Sequence, residues 1–127
     1  GIEEQKTFSV NIPSTDLVDK VDYCGIYSGR REDKSEVFTV FFGALETAPL
    51  VEECPVNLEC RLTHSLEVGT HNLIVGEIIE THATESCLAD KTVDIHKVDP
   101  LIYIAGSQNY HRLGDPVGKA FSVGKKK

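Results

Sequence analysis

The 127-residue sequence predicts a small, mostly β barrel with α additions. Three observations carry this reading. Residues 56–68 alternate apolar and polar side chains, a Gly69-Thr70 pair follows, and 71–80 returns as an apolar run. Together they form the signature of a long antiparallel hairpin, with glycine supplying positive φ in the turn. Hydrophobic residues make up 40% and charged residues 26%, the balance of an ordinary globular chain, so a single domain over 1–127 is expected.

The elements follow in order. In 6–12, Phe8, Val10 and Ile12 alternate with polar residues, the period of a half-buried strand that Pro13 stops. Ser14-Thr15-Asp16 offers an N-cap and a first-turn acid, and Leu17, Val18 and Val21 fall at helical spacing to Tyr23 or Cys24, with Gly25 or Gly29 as the stop. A helical turn is expected over 33–37. The apolar run 37–42 fits either a buried strand or a short helix, and 47–51 reads as an extended connection. In the long strand, Val56, Leu58, Cys60, Leu62, Leu66 and Val68 form a dry face, interrupted by His64. Asn57, Glu59, Arg61, Thr63, Ser65 and Glu67 form a wet one. The return strand is expected to be buried on both sides in its middle. Gly76 within it suggests a bulge, a barrel corner or a close-lying ligand. A helical turn at 94–97, a turn at Asp99-Pro100, a strand at 101–104 and a loop-rich tail complete the chain.

A formal charge of −7 argues against a general nucleic-acid binder, and no apolar run approaches the ~20 residues of a membrane helix. With no secretory signal in view, the four cysteines read as reduced cytosolic thiols, and the expected location is cytoplasmic. The absence of methionine predicts a piece or processed form of a longer chain.

Chemistry concentrates in three places. Ser28-Gly29-Arg30-Arg31 with Lys34 gathers three cations, a hydroxyl and a flexible backbone, the parts that a phosphate needs. The segment lacks the Lys-Ser/Thr ending of a P-loop, and its charges can equally pair with Glu32 and Asp33. His71, beside the turn, is placed to meet an anion or shuttle a proton, or else to bond backbone at a strand end. Tyr103, Tyr110, His111 and Arg112, punctuated by Gly106, Gly114 and Gly118, suit a flat conjugated ligand, a partner subunit or packing on their own barrel. No metal site is expected from the cysteine and histidine spacing.

Phe8-Ser9-Val10-Asn11-Ile12-Pro13-Ser14, Asp22-Tyr23-Cys24-Gly25-Ile26-Tyr27-Ser28-Gly29-Arg30 with Asp33-Lys34, Leu58-Glu59-Cys60, Gly69-Thr70-His71, Val75-Gly76-Glu77-Ile78, Asp99-Pro100-Leu101-Ile102-Tyr103, Tyr110, Leu113-Gly114 and Gly118-Lys119-Ala120-Phe121 occur in this order. The series resembles the flavoredoxin branch of the flavin reductase-like, FMN-binding split-barrel family over nearly the whole chain. The resemblance implies a six-stranded split β-barrel, a homodimer, and FMN near the subunit interface passing electrons. NADH or NADPH as donor and a protein or small-molecule acceptor are further implications, with no nucleic acid and no membrane. It places Ser28, Arg30 and Lys34 near the ribityl phosphate, His71 near the flavin or nicotinamide as the catalytic residue, and Tyr110 as the aromatic that closes the pocket. Cys24 receives no redox role. In that family further strands precede the Phe-x-Val-Asn segment, so a domain incomplete at its amino terminus is expected. An oxidoreductase is implied for an intact parent chain. The alternative is a non-catalytic dimerisation module, or a truncated fragment that no longer binds flavin.

Overall fold

The computed structural model describes residues 2–27 and 37–126. A single helical turn, α1 (Ile2–Gln5), ends at Lys6, whose left-handed φ of 61° reverses the chain. Strand β1 (Thr7–Ile12) then runs antiparallel to the first half of β4 (Val56–Val68), pairing Thr7 with Arg61 and Ile12 with Val56. Strand β5 (His71–Ala83) returns along all of β4. The sheet order is β1-β4-β5. The tight turn falls at Gly69-Thr70, as expected, with Gly69 at φ 61°.

Pro13 ends β1, and Ser14 bridges to Pro100. A 3-10 turn at Thr15–Leu17 leads into α2 (Val18–Ile26). The helix runs through Gly25, so that glycine is not the stop expected of it. It closes instead at Tyr27, which leaves in extended conformation after its N–H donates to the Tyr23 carbonyl at 3.1 Å. Nor does Ser14 cap the helix through its side chain, which donates to Asp16. The expected turn at 33–37 lies almost wholly outside the described residues.

Short strands β2 (Val40–Phe41) and β3 (Leu50–Val51) pair with each other. The expected connection at 47–51 therefore carries a strand, and Ala48 and Leu50 within it are fully buried. Polar side chains fasten it to the sheet. Ser9 donates to the Pro49 carbonyl, Val51 N–H donates to Asn11 Oδ1 at 3.1 Å, and Asn57 Nδ2 donates to Asn11 Oδ1 and to the Val51 carbonyl at 2.8 and 2.9 Å. Strands β6 (Leu88–Ala89) and β7 (Thr92–Val93) form a second ribbon. Helix α3 (Ile95–Val98) begins at Asp94, whose carboxylate accepts from His96 N–H at 3.0 Å, and ends at Asp99 with φ 51°. Strand β8 (Ile102–Ile104) falls in the expected strand at 101–104, and it pairs in a hairpin with β9 (Asn109–His111), which lies in the tail expected to be loop-rich.

Val56, Cys87 and Val98 pack with Ile12 and Leu58 into the core. All four cysteines are free thiols. Burial raises the Cys54 thiol to about 11, with the neighbouring Glu53 charge adding to it.

The two-face reading of β4 needs correction in both halves. Asn57 and Glu59, assigned to the wet face, are buried, because residues 43–51 close over that side. Leu66 and Val68, assigned to the dry face, are exposed, because β1 ends opposite Arg61 and helix α1 reaches only the other face of the arm, where Glu3 accepts from the Ser65 hydroxyl at 2.7 Å. Nor is β5 buried on both sides: Leu73 and Val75 stand exposed on that arm, and Ile78 stands exposed opposite Cys60. Gly76 marks a close approach, not to a ligand but to the Phe8 ring. A Cβ added there would lie 2.4 Å from its Cε1 atom.

Candidate functional site

Helix α2 presents Thr15, from the turn that precedes it, with Val18, Asp22 and Ile26 at intervals of three and four residues, so they share a side. The β8–β9 hairpin lies along that side. Tyr110, opposite Tyr103 in the hairpin register, tilts its ring at 49° to Tyr103 with centroids 5.3 Å apart. Its hydroxyl donates to Asp22 Oδ1 at 3.0 Å. Partial burial raises the Tyr110 hydroxyl above its ordinary value, and the Asp22 bond and charge raise it further. It is therefore a protonated donor at any physiological pH.

A second polar crossing holds the other end of the hairpin. Arg112 Nη2 donates to Thr15 Oγ1 at 2.8 Å and to Asp99 Oδ2 at 3.1 Å, and Nε donates to Asp99 Oδ1 at 3.2 Å. Thr15 also donates to Asp99. The bonds from Arg112 and Thr15 hold the Asp99 carboxyl below its usual range. Between the crossings lies a cavity of about 240 Å³ lined by Thr15, Val18, Leu101, Tyr110, His111 and Arg112. On the other side of Tyr110 lies one of about 420 Å³, lined by Asp22, Gly25, Ile26, Tyr103, Gln108 and Tyr110.

Helix α2 also carries both flanks of the cation-rich segment. Tyr27, just before it, packs on Tyr23 with ring centroids 4.9 Å apart. Phe38, just after it, sits beneath Lys20 Nζ at 5.7 Å. Ser28, Arg30 and Lys34 themselves lie outside the described residues. Tyr110 is thus joined to the helix from which that segment departs. His71 is not. It is exposed at the tip of the β4–β5 hairpin opposite Val68, whereas α2 follows β1 at the Val56 end. Thirteen strand residues separate the two ends, roughly 40 Å in an extended strand.

The sequence reading missed a buried acid. Glu59 is fully buried and accepts from His82 Nε2 at 2.6 Å, Leu45 N–H at 2.7 Å and Ala44 N–H at 3.3 Å. Burial alone raises a carboxyl, but these bonds outweigh it and hold Glu59 below its ordinary value. Phe41 packs edge-on against the His82 ring at 5.8 Å. A Cβ at Gly43 would lie 2.4 Å from Glu59 Oε2, so only glycine lets the 43–45 backbone meet the carboxylate. This group ties the 43–51 segment to the sheet, and its enclosure leaves no room for a substrate.

Comparison with known proteins adds the following. The flavin reductase like domain family matches residues 1–113. A flavoredoxin from Methanosarcina acetivorans is 46% identical, with a TM-score of 0.94 over 98% of this chain and 67% of that one. The flavoredoxin of Desulfovibrio vulgaris (Miyazaki F) is 42% identical, with a TM-score of 0.88 over 98% and 68%. An FMN reductase (NADH), RutF, from Stutzerimonas stutzeri is 30% identical over 66 residues, which are 52% of this chain and 30% of the relative. The chain spans 30% to 67% of the length of three curated relatives. The mostly β architecture and these likenesses agree with the expected split-barrel class.

Proposed function

Because the chain belongs to the flavin reductase-like domain family, we propose that it binds FMN and serves a flavoredoxin-type redox protein that passes electrons through the flavin. The observation that carries this reading is the 46% identity and 0.94 TM-score to a flavoredoxin over 98% of the chain. The described residues fit the ring end of such a cofactor. The cavity beside Tyr110 offers two tyrosine faces, and an added Cβ at Gly25 on its wall would meet open space. When bound, the flavin supplies the electron chemistry. The chain's part is to hold and orient it. Ser28, Arg30 and Lys34 meet the phosphate as hydroxyl and cations, and Tyr110 walls the ring.

His71 serves the same site from a second copy in a homodimer, which answers its distance from Tyr110 within one chain. NADH or NADPH is the donor, in line with the name of the RutF relative, and a protein or small molecule takes the electrons. No helix among the described residues is long and apolar enough to cross a membrane.

The test is a visible absorption spectrum of the purified chain before and after adding FMN and removing the excess by gel filtration. Retained flavin bands at one per chain are expected. A colourless protein that never retains added FMN overturns the reading and leaves the dimerisation module in its place.

A further inference from the structure

We propose that Asp22 is a positioning residue, whose hydrogen bond from the Tyr110 hydroxyl sets one wall of the flavin slot. This inference rests on the FMN-binding reading above and concerns a residue to which that reading gives no role. Tyr110 stands between two cavities, about 240 Å³ on one side and about 420 Å³ on the other. A ring with open volume on both sides is not locked by packing, as a core ring is. Its orientation is held by the lean on Tyr103 and by the 3.0 Å bond to Asp22. Without that bond the ring turns toward either cavity among its rotamers, and ligand binding must then order it.

The position of Asp22 gives the bond its reach. It lies on the helix that carries both flanks of the Ser28–Lys34 segment, through Tyr23 against Tyr27 and Lys20 above Phe38. The aromatic wall and the two described flanks, Tyr27 and Phe38, are therefore referred to one helix. Asp22 itself has no need to touch the cofactor. Binding energy otherwise available to the ligand is spent when a loose side chain must be ordered, which corresponds to roughly 3- to 10-fold in affinity for one ring.

FMN is titrated into the full chain and into Tyr110→Phe, Asp22→Ala, Asp22→Asn and the Asp22→Ala/Tyr110→Phe double variant. The readouts are affinity, the visible band of bound flavin and thermal melting. Tyr110→Phe and Asp22→Ala are expected to weaken binding by roughly 3- to 10-fold and to move the flavin band alike. Asp22→Asn keeps an accepting oxygen and stays within about twofold of the parent. The double variant is no weaker than either single one, since both remove the same bond. Parent-like affinity and spectrum in Tyr110→Phe overturn the proposal while leaving FMN binding intact. A loss in Asp22→Asn equal to that in Asp22→Ala also overturns it, by making charge and not the bond the cause. If Asp22→Ala fails to fold, Tyr110→Phe and Asp22→Asn decide. A parent chain that takes up no FMN overturns the functional reading, and this inference with it.

Discussion

Burying a carboxylate costs several kcal/mol unless its oxygens find donors. Glu59 meets that cost with two backbone N–H groups and the His82 ring. Alternation put Glu59 among the wet residues of β4, because period two reports which residues share a face, not what lies over it. Only the fold brings 43–45 onto that face, although Gly43-Ala44, a stretch without bulk, was the available sign. Replacing Glu59 with Gln leaves at least one of those donors facing an amide N–H, which costs about 1–3 kcal/mol at neutral pH. The sign of the pH dependence follows from the lowered folded value. The stabilisation is whole above the ordinary carboxyl value of 4.5 and is lost as pH falls through the lower folded value. Urea unfolding of the parent and Glu59→Gln is expected to show a gap at pH 7 that narrows below pH 4.5. A gap that is constant with pH assigns the cost to shape and not to charge.

At the scale of elements, the long hairpin was legible from alternation and from Gly69-Thr70, but its register was not. The chain inserts Thr63 between the pairs Leu62–Gly76 and His64–Val75, and the Thr63 hydroxyl donates to the Val75 carbonyl at 3.0 Å. This bulge moves the tip's side chains relative to the base, which a fixed parity cannot follow. Gly76 beside it admits the Phe8 ring from β1, so one missing Cβ joins the hairpin to its neighbour. Gly76→Ala forces the ring or the strand aside, at a cost of about 1–3 kcal/mol. Phe8→Leu in the same chain removes the obstructing ring edge, so the double variant is expected to lose less than the sum of the singles in thermal or urea unfolding. Strict additivity excludes the Phe8 contact as the reason for glycine at this position. The two polar crossings of the β8–β9 hairpin show the opposite limit. Tyr110 and Arg112 were visible as residue types, but their partners Asp22 and Asp99 lie 88 and 13 positions away, and pairings of that kind leave no local periodicity to read.

At the scale of the whole molecule, the hairpin arm beyond β1 presents an apolar face to solvent. Leu66 pairs with Leu73, and Val68 and Val75 share their face, all between 42% and 59% exposed. Four half-exposed apolar residues on one side of a two-stranded ribbon are unusual for a monomer, and β5 is a 13-residue edge strand. Self-association through this face would also carry His64 and His71, which share it, to a second copy. That is the arrangement required if His71 is to act at a site built around Tyr110. Leu66→Lys with Leu73→Glu replaces the apolar cross-strand pair by an ionic one, which keeps the ribbon paired while removing its apolar face. The parent chain is expected to sediment as a dimer at micromolar concentration and the double variant as a monomer, with unchanged far-ultraviolet circular dichroism. A parent that sediments as a monomer at that concentration excludes this face as a dimer interface, and a variant that stays dimeric moves the interface elsewhere on the sheet.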